Sequence, residues 1–302
     1  MWSVISSKTL AIAVTIFAGL ASSAPAFDVI GHRGARGLAP ENTLAGFIQG
    51  ARVGATVVEA DVTLTRDEQV IVRHDARVSH TVCRGPNQGR LYRWLTLAQV
   101  KRLDCGTRRA HDGLARTQTA VPGAHVPTLD QVYRAVPPGV RLLVEPKTDP
   151  THPRETFPAS RVARRVVAVI RAAHGLRRTT VQSFDWRVLR DVGRLAPGLR
   201  LQALASEHNA YPDSPWLAGF VVGDRPFDGA VVDTVRRAGF NALAVPARLA
   251  TQPLVDLAHD RRLALLAYTV DRPETMLALI RLGLDGLVSD YPDRLAAEYR
   301  AR

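Results

Sequence analysis

The segment Val57-Val58-Glu59-Ala60-Asp61-Val62, residues 57–62, decides how the rest of the chain is read. Its apolar, β-branched residues do not alternate cleanly with polar ones, as expected of a parallel strand buried on both faces. Two carboxylates nevertheless interrupt it. Glu59 and Asp61 are two positions apart, so in a strand both side chains leave from the same face. Carboxylates on one buried face repel each other unless a cation lies between them. A hard divalent ion, Ca²⁺ or Mg²⁺, takes oxygen ligands of this kind.

Runs of the same character recur at 28–32, 141–146, 179–183, 200–205, 242–245, 264–270 and 286–289. Amphipathic stretches fill the intervals. Leu44, Phe47, Ile48 and Ala51 fall at helical spacing behind a predicted Asn42 cap. Val162, Val166, Val169 and Ile170 repeat the pattern, as do Met276, Leu277 and Ile280 behind Pro273. Eight buried strands alternating with helices predict a (β/α)₈ TIM barrel, in class α/β. An open doubly wound sheet is the other closure, but no Gly-rich dinucleotide fingerprint follows any strand. One connection is too long for a plain crossover. Residues 76–140 contain Gly85-Pro86-Asn87, Pro122-Gly123 and both cysteines, and read as an insertion between barrel strands 2 and 3 at the mouth.

The amino terminus reads as an export signal. Lys8 is its charge, residues 10–21 are apolar but too short to span a bilayer comfortably, and Ala24-Pro25-Ala26 fits a cleavage site. The expected mature chain is 27–302, periplasmic or secreted, without stable membrane insertion. In such a compartment Cys83 and Cys105 are expected to pair as a structural disulfide. The formal charge of +12 is carried almost wholly by arginine; Lys8, Lys101 and Lys147 are the only lysines. Those arginines are scattered instead of forming a run or an aromatic-interleaved stripe, which argues against a nucleic-acid partner.

Other strand ends carry matching chemistry. Glu145 and Lys147 repeat the two-residue spacing, a third possible metal ligand beside a cation suited to a phosphate oxygen. His32 follows Val29-Ile30 and His74 follows Val70-Ile71-Val72, and two histidines flanking an acid pair suit an acid and a base in a displacement at phosphorus. Arg33 adds a fork-shaped donor for phosphate oxygens. No Walker A, G-x-S-x-G or H-E-x-x-H motif is present.

Taken together, these motifs resemble the bacterial glycerophosphodiester phosphodiesterase family. His32-Arg33-Gly34 with Pro40-Glu41-Asn42-Thr43 is similar to its opening motif, and Glu59-x-Asp61, His74-Asp75 and Glu145-x-Lys147 follow in order. Gln182-Ser183-Phe184-Asp185, Tyr268-Thr269-Val270-Asp271 and the segment from Asp285 to Asp293 resemble its closing motifs. The resemblance implies a (β/α)₈ barrel that hydrolyses small glycerophosphodiesters. It implies His32 and His74 as the catalytic pair and Glu59, Asp61 and Glu145 as ligands of a divalent cation. Arg33 and Lys147 would hold phosphate, and Phe184 and Tyr268 would face substrate. Tyr268 and Ser289 stand where the family often has tryptophan and threonine, and Pro146 removes an amide donor from a strand. A lysophospholipase D-like enzyme acting on lysolipids is the alternative within the same barrel type. The long gap from Asp61 to His74, and Glu145 in place of an aspartate, favour the diesterase.

Overall fold

The computed structural model describes residues 27–110 and 112–302; the expected export segment, 1–26, lies outside the described residues. In chain order the elements are β1 (Asp28–Gly31), α1 (Leu44–Arg52), β2 (Val57–Leu64), β3 (Val70–Val72), α2 (Leu97–Val100), α3 (Leu129–Ala135) and β4 (Arg141–Pro146). They continue as α4 (Ala159–Ala172), β5 (Thr179–Ser183), α5 (Trp186–Leu195), β6 (Arg200–Leu204), α6 (Ala230–Arg237), β7 (Ala242–Pro246) and α7 (Gln252–Asp260). β8 (Ala264–Tyr268), α8 (Pro273–Leu282), β9 (Gly286–Ser289) and α9 (Pro292–Arg300) complete the chain. Every strand except β3 pairs in parallel with its neighbours, and β1 closes the ring by pairing with both β2 and β9. The protein is a (β/α)₈ barrel.

The lumen is layered. Ile30, Val57, Leu143, Leu204, Ala242, Ala244, Leu266 and Val288 form an apolar plug inside the ring. One step further along β2, the residue two after Val57 is Glu59, and along β4 the residue two after Leu143 is Glu145. Side chains two apart share a strand face, so the lumen turns from apolar to acidic toward the strands' C-terminal ends. Between the ring and its helices a larger cluster forms around Phe47, Trp186, Leu265 and Leu295.

β3 is not a barrel stave. It pairs antiparallel with the end of β2, Val62 opposite Val72 and Leu64 opposite Val70. The chain therefore turns back toward the mouth before reaching His74, and this hairpin is what returns that histidine to the level of Asp61. The expected Asn42 cap is replaced. Thr43 caps α1, its hydroxyl accepting from the Gly46 amide at 3.1 Å. Asn42 instead adopts a left-handed backbone, φ 55°, and turns its side chain into the barrel. Pro146 lies past the last β4–β5 pair, Val144 opposite Val181, so its missing amide donor breaks no ladder bond there.

Residues between β3 and α3 build a satellite core of Val78, Tyr92, Leu95, Val100, Leu103 and Val126, with Cys83 and Cys105 bonded to each other inside it. The 76–140 stretch is not all excursion, since α3 packs between α1 and α4 in the outer ring. The bridge closes a separation of 22 residues, worth about 3 kcal/mol by chain entropy. Cys83→Ser/Cys105→Ser is therefore expected to melt earlier, with the satellite losing hydrogen-exchange protection before the barrel. Loss of protection spread evenly over both would contradict a separate satellite core.

Candidate active site

The first βα turn shapes the mouth. Arg33 and Gly34 both have positive φ, 49° and 93°. A Cβ on Gly34 would lie 2.5 Å from the Gly46 carbonyl carbon, so only glycine lets this turn press against α1. The strained Arg33 backbone is held by its amide, which donates to Glu59 Oε2 at 2.7 Å, while the Gly34 amide donates to the Glu59 carbonyl at 3.1 Å. The turn that carries His32 is thus tied to the strand that carries the acids.

Glu59, Asp61 and Glu145 converge, with one oxygen from each within 4.8 Å of the others, and all three are buried. Burial, then Asp61 and Glu145, push the Glu59 carboxyl well above the usual carboxylate range, against the Arg33 amide. Burial also acts to raise Asp61, but Lys147, His74 and Arg33 outweigh it and hold Asp61 well below that range. Lys147 Nζ lies 2.5 Å from Glu145 Oε1 and 3.1 Å from Asp61 Oδ1. Those carboxylates keep the lysine charged despite its burial. Arg33 Nη1 donates to Glu41 at 2.9 Å, while its Nε makes only a charge contact with Asp61 at 3.3 Å. Glu59 Oε1 has no hydrogen-bond partner although it is buried. An unpaired buried carboxylate oxygen facing two further carboxylates is the donor set of a hard divalent cation, and the residues present fit one.

Each histidine is oriented through Nδ1. His32 Nδ1 lies 2.6 Å from Asp290 Oδ1, and His74 Nδ1 lies 2.8 Å from Asp75 Oδ1. Burial acts to raise Asp290, but His32 and the arginines Arg36 and Arg33 draw it below the usual range. Asp75 is likewise drawn down, first by its bond from His74. Ionised carboxylates only accept, so each Nδ1 carries the proton and each Nε2 is left for chemistry. The cavity, about 590 Å³ to its open mouth, is lined by both histidines, the three acids, Arg33, Lys147, Phe184 and Tyr268. Phe184 and Tyr268 meet edge to face, with ring centroids 5.9 Å apart. Every residue singled out from sequence for catalysis, metal or substrate therefore lines one chamber. Cys83 and Cys105 sit apart from it.

Several supporting residues were given no role in the site from sequence. Asn42 Nδ2 donates to Asp61 Oδ2 at 2.8 Å, and its own carbonyl and that of Glu41 accept from the buried Arg73 at 2.8 and 3.0 Å. Arg36 is shared among Glu41 at 2.5 Å, Asp290 at 3.3 Å and Asp112. Gln202 donates to Gln182 and Gln182 to Glu145 Oε2, at 2.8 and 3.0 Å. Asn42→Ala removes Asp61's amide donor and places a Cβ residue without a compensating side chain at positive φ. It is expected to cost about 1–3 kcal/mol and to weaken cation binding, read by thermal melts with and without Ca²⁺ or Mg²⁺.

A closed parallel barrel with two oriented imidazoles, two cations and a buried tricarboxylate that could hold a metal ion, all at its C-terminal mouth, has the form of a barrel enzyme built for an anionic ester. The profile of the glycerophosphoryl diester phosphodiesterase family matches residues 32–294, and the chain belongs to that family. It is 28% identical over 265 residues to a putative glycerophosphodiester phosphodiesterase, YhdW, of Bacillus subtilis (strain 168), covering 88% of this chain and 95% of that protein. It is also 28% identical over 268 residues to a glycerophosphodiester phosphodiesterase of Caldanaerobacter subterraneus subsp. tengcongensis, covering 88% of this chain and 95% of the other. Among solved structures, a putative glycerophosphoryl diester phosphodiesterase from Silicibacter pomeroyi DSS-3 superposes with a TM-score of 0.79 at 29% identity, covering 92% of this chain and 94% of that one.

Proposed function

We propose that this protein hydrolyses glycerophosphodiesters to glycerol 3-phosphate and an alcohol, with His32 and His74 as the acid–base pair. The observation that carries this reading is the pairing of two Nδ1-anchored imidazoles with Glu59, Asp61 and Glu145 in one cavity. Those three carboxylates would hold a divalent cation, Ca²⁺ or Mg²⁺. When bound, such an ion neutralises charge on the phosphoryl oxygens.

The chain's own groups do the rest. Lys147 and Arg33, both cations in this cavity, attract the diester anion and fix its non-bridging oxygens. One imidazole, neutral with a free Nε2 lone pair, accepts a proton from the nucleophile, either water or the glycerol 2-hydroxyl, the latter closing a cyclic phosphate that water then opens to glycerol 3-phosphate. The other, protonated at Nε2, returns a proton to the departing alcohol oxygen. Asp290 and Asp75 hold both rings in the tautomer this requires and offset imidazolium charge as it forms.

Incubation with glycerophosphocholine in Ca²⁺ or Mg²⁺, then in chelator, tests the reading. Glycerol 3-phosphate should be released with metal, stop with chelator and resume on adding ion back. A folded protein that leaves this diester intact but cleaves a lysolipid would instead establish the lysophospholipase D-like alternative. We also infer export to the periplasm or medium; cell fractionation with amino-terminal sequencing should find the mature chain starting near Phe27.

A further inference from the structure

A second chamber opens beside the catalytic one and shares two of its walls, Phe184 and Tyr268. Its volume is about 320 Å³, at the lower end of the range of small-molecule sites, and Trp216 and Pro246 extend its apolar lining. Trp216 is presented by the long connection after β6, which is firmly held. Asn209 accepts from the Ser206 amide at 2.8 Å and donates to the Leu204 carbonyl at 3.0 Å, and the Ser214 hydroxyl donates to the Asn209 carbonyl at 2.5 Å. Ser214 then caps the short turn that holds Trp216, and the next residue, Leu217, is completely buried. The Tyr268 hydroxyl donates to the Ala205 carbonyl at 3.3 Å. Trp216 and Tyr268 are thus held in place by bonds to this connection.

We propose that this chamber seats the leaving alcohol and selects a quaternary ammonium alcohol, its trimethylammonio group held against Phe184, Trp216 and Tyr268. The inference deepens the diesterase reading and rests on it. Three observations favour this class. An alcohol leaving the phosphorus must pass out beside Phe184 and Tyr268 if it enters this chamber, because those rings line both cavities. Aromatic faces attract cations, and among the described residues the cation–π contacts fall on Phe157, Tyr133, Tyr291 and Tyr299, leaving the chamber's rings free. Arg248, a cation at the lining, is instead engaged by Glu207 at 2.6 Å.

A primary ammonium fits less well. It needs several hydrogen-bond acceptors in exchange for its water, and of the polar lining Ser206 and Asn209 already bond within the loop, so the His208 imidazole alone does not supply a full set. A trimethylammonio group has no N–H to satisfy and presents methyl surface to the rings.

The test compares three diesters on the full-length mature enzyme with its metal: glycerophosphocholine, glycerophosphoethanolamine and the glycerophospho-ester of 3,3-dimethylbutanol, the uncharged isostere of choline. The expected result is a kcat/KM for the choline ester at least ~10-fold above both others. Trp216→Leu should collapse that preference while Trp216→Phe, which keeps a π face, should retain part of it. Equal rates for choline and its neutral isostere would overturn the cation assignment without touching the diesterase reading. A choline preference unchanged in a folded Trp216→Leu would overturn the placement of the group in this chamber. Failure to cleave any of the three would overturn the diesterase reading itself, and this inference with it.

Discussion

His32→Ala and His74→Ala should each lower kcat on a glycerophosphodiester by ~10²–10⁴-fold while the protein stays folded. The separation of activity from stability follows from the surroundings of the two rings. Losing the His32 imidazole leaves Asp290 facing Arg36 at 3.3 Å, so no buried carboxylate is abandoned. The His74 side chain is more than a third exposed, and its partner Asp75 more so, so truncation there removes little packing. Melting temperatures should therefore move only slightly. Because both imidazoles act in one proton circuit, the double variant should be little worse than the more damaging single one. Asp290→Asn tests the orienting carboxylate: it should lower kcat by less than His32→Ala and change the pH–rate profile, since Asn can present a donor where His32 requires an acceptor. Near wild-type kcat in both single alanine variants would end the acid–base assignment.

The barrel was legible because its strands are buried on both faces, and residues such as Val57, Leu143 and Leu266 record that burial without regard to what they touch. The acids were legible for the opposite reason. A carboxylate inside such a run conflicts with its burial unless something compensates it, and Glu59, Asp61 and Glu145 each make that conflict visible locally. The supporting residues make no such mark. Asp290 is separated from His32 by 258 positions and meets it only because β9 closes onto β1, pairing Ser289 with Gly31. A closed barrel does imply that residues just past its first and last strands are neighbours, and that was the available signal. Asn42 misled in another way: Asn is a good helix cap, but Thr43 is one as well, and the deciding factor was the Asp61 carboxylate across the barrel mouth. The antiparallel turn-back of β3 was hidden too, since Val70-Ile71-Val72 reads alike as a stave or a hairpin arm.

Glu59→Gln should abolish the response to Ca²⁺ or Mg²⁺ and lower turnover by at least ~10²-fold, yet raise the melting temperature of the metal-free protein. The opposite signs come from one arrangement. Without metal, an ionised Glu59 would face Asp61 and Glu145 with one oxygen unpaired, so the native fold carries either that repulsion or the cost of keeping the carboxyl protonated. In the Glu59→Gln variant the new amide would keep an oxygen for the Arg33 N–H and turn its NH₂ toward the two carboxylates, replacing repulsion with donation. Wild-type protein should instead be stabilised by the ion itself, by about 2.7 kcal/mol at a hundredfold excess over Kd. The pH dependence separates the two proteins further. A carboxyl whose folded pKa is raised binds its proton more readily when folded than when unfolded. Its contribution therefore improves as pH falls through the raised value, down to the ordinary glutamate range near ~4.3. Metal-free wild type should accordingly close its stability gap to Glu59→Gln as pH is lowered from neutrality, and metal should open the gap in the wild type's favour. Melts of both proteins across pH, with chelator and with metal, read all of these signs. A metal-free Glu59→Gln variant less stable than wild type at neutral pH would mean that the three carboxylates are not held in mutual repulsion, and the case for a cation between them would fall.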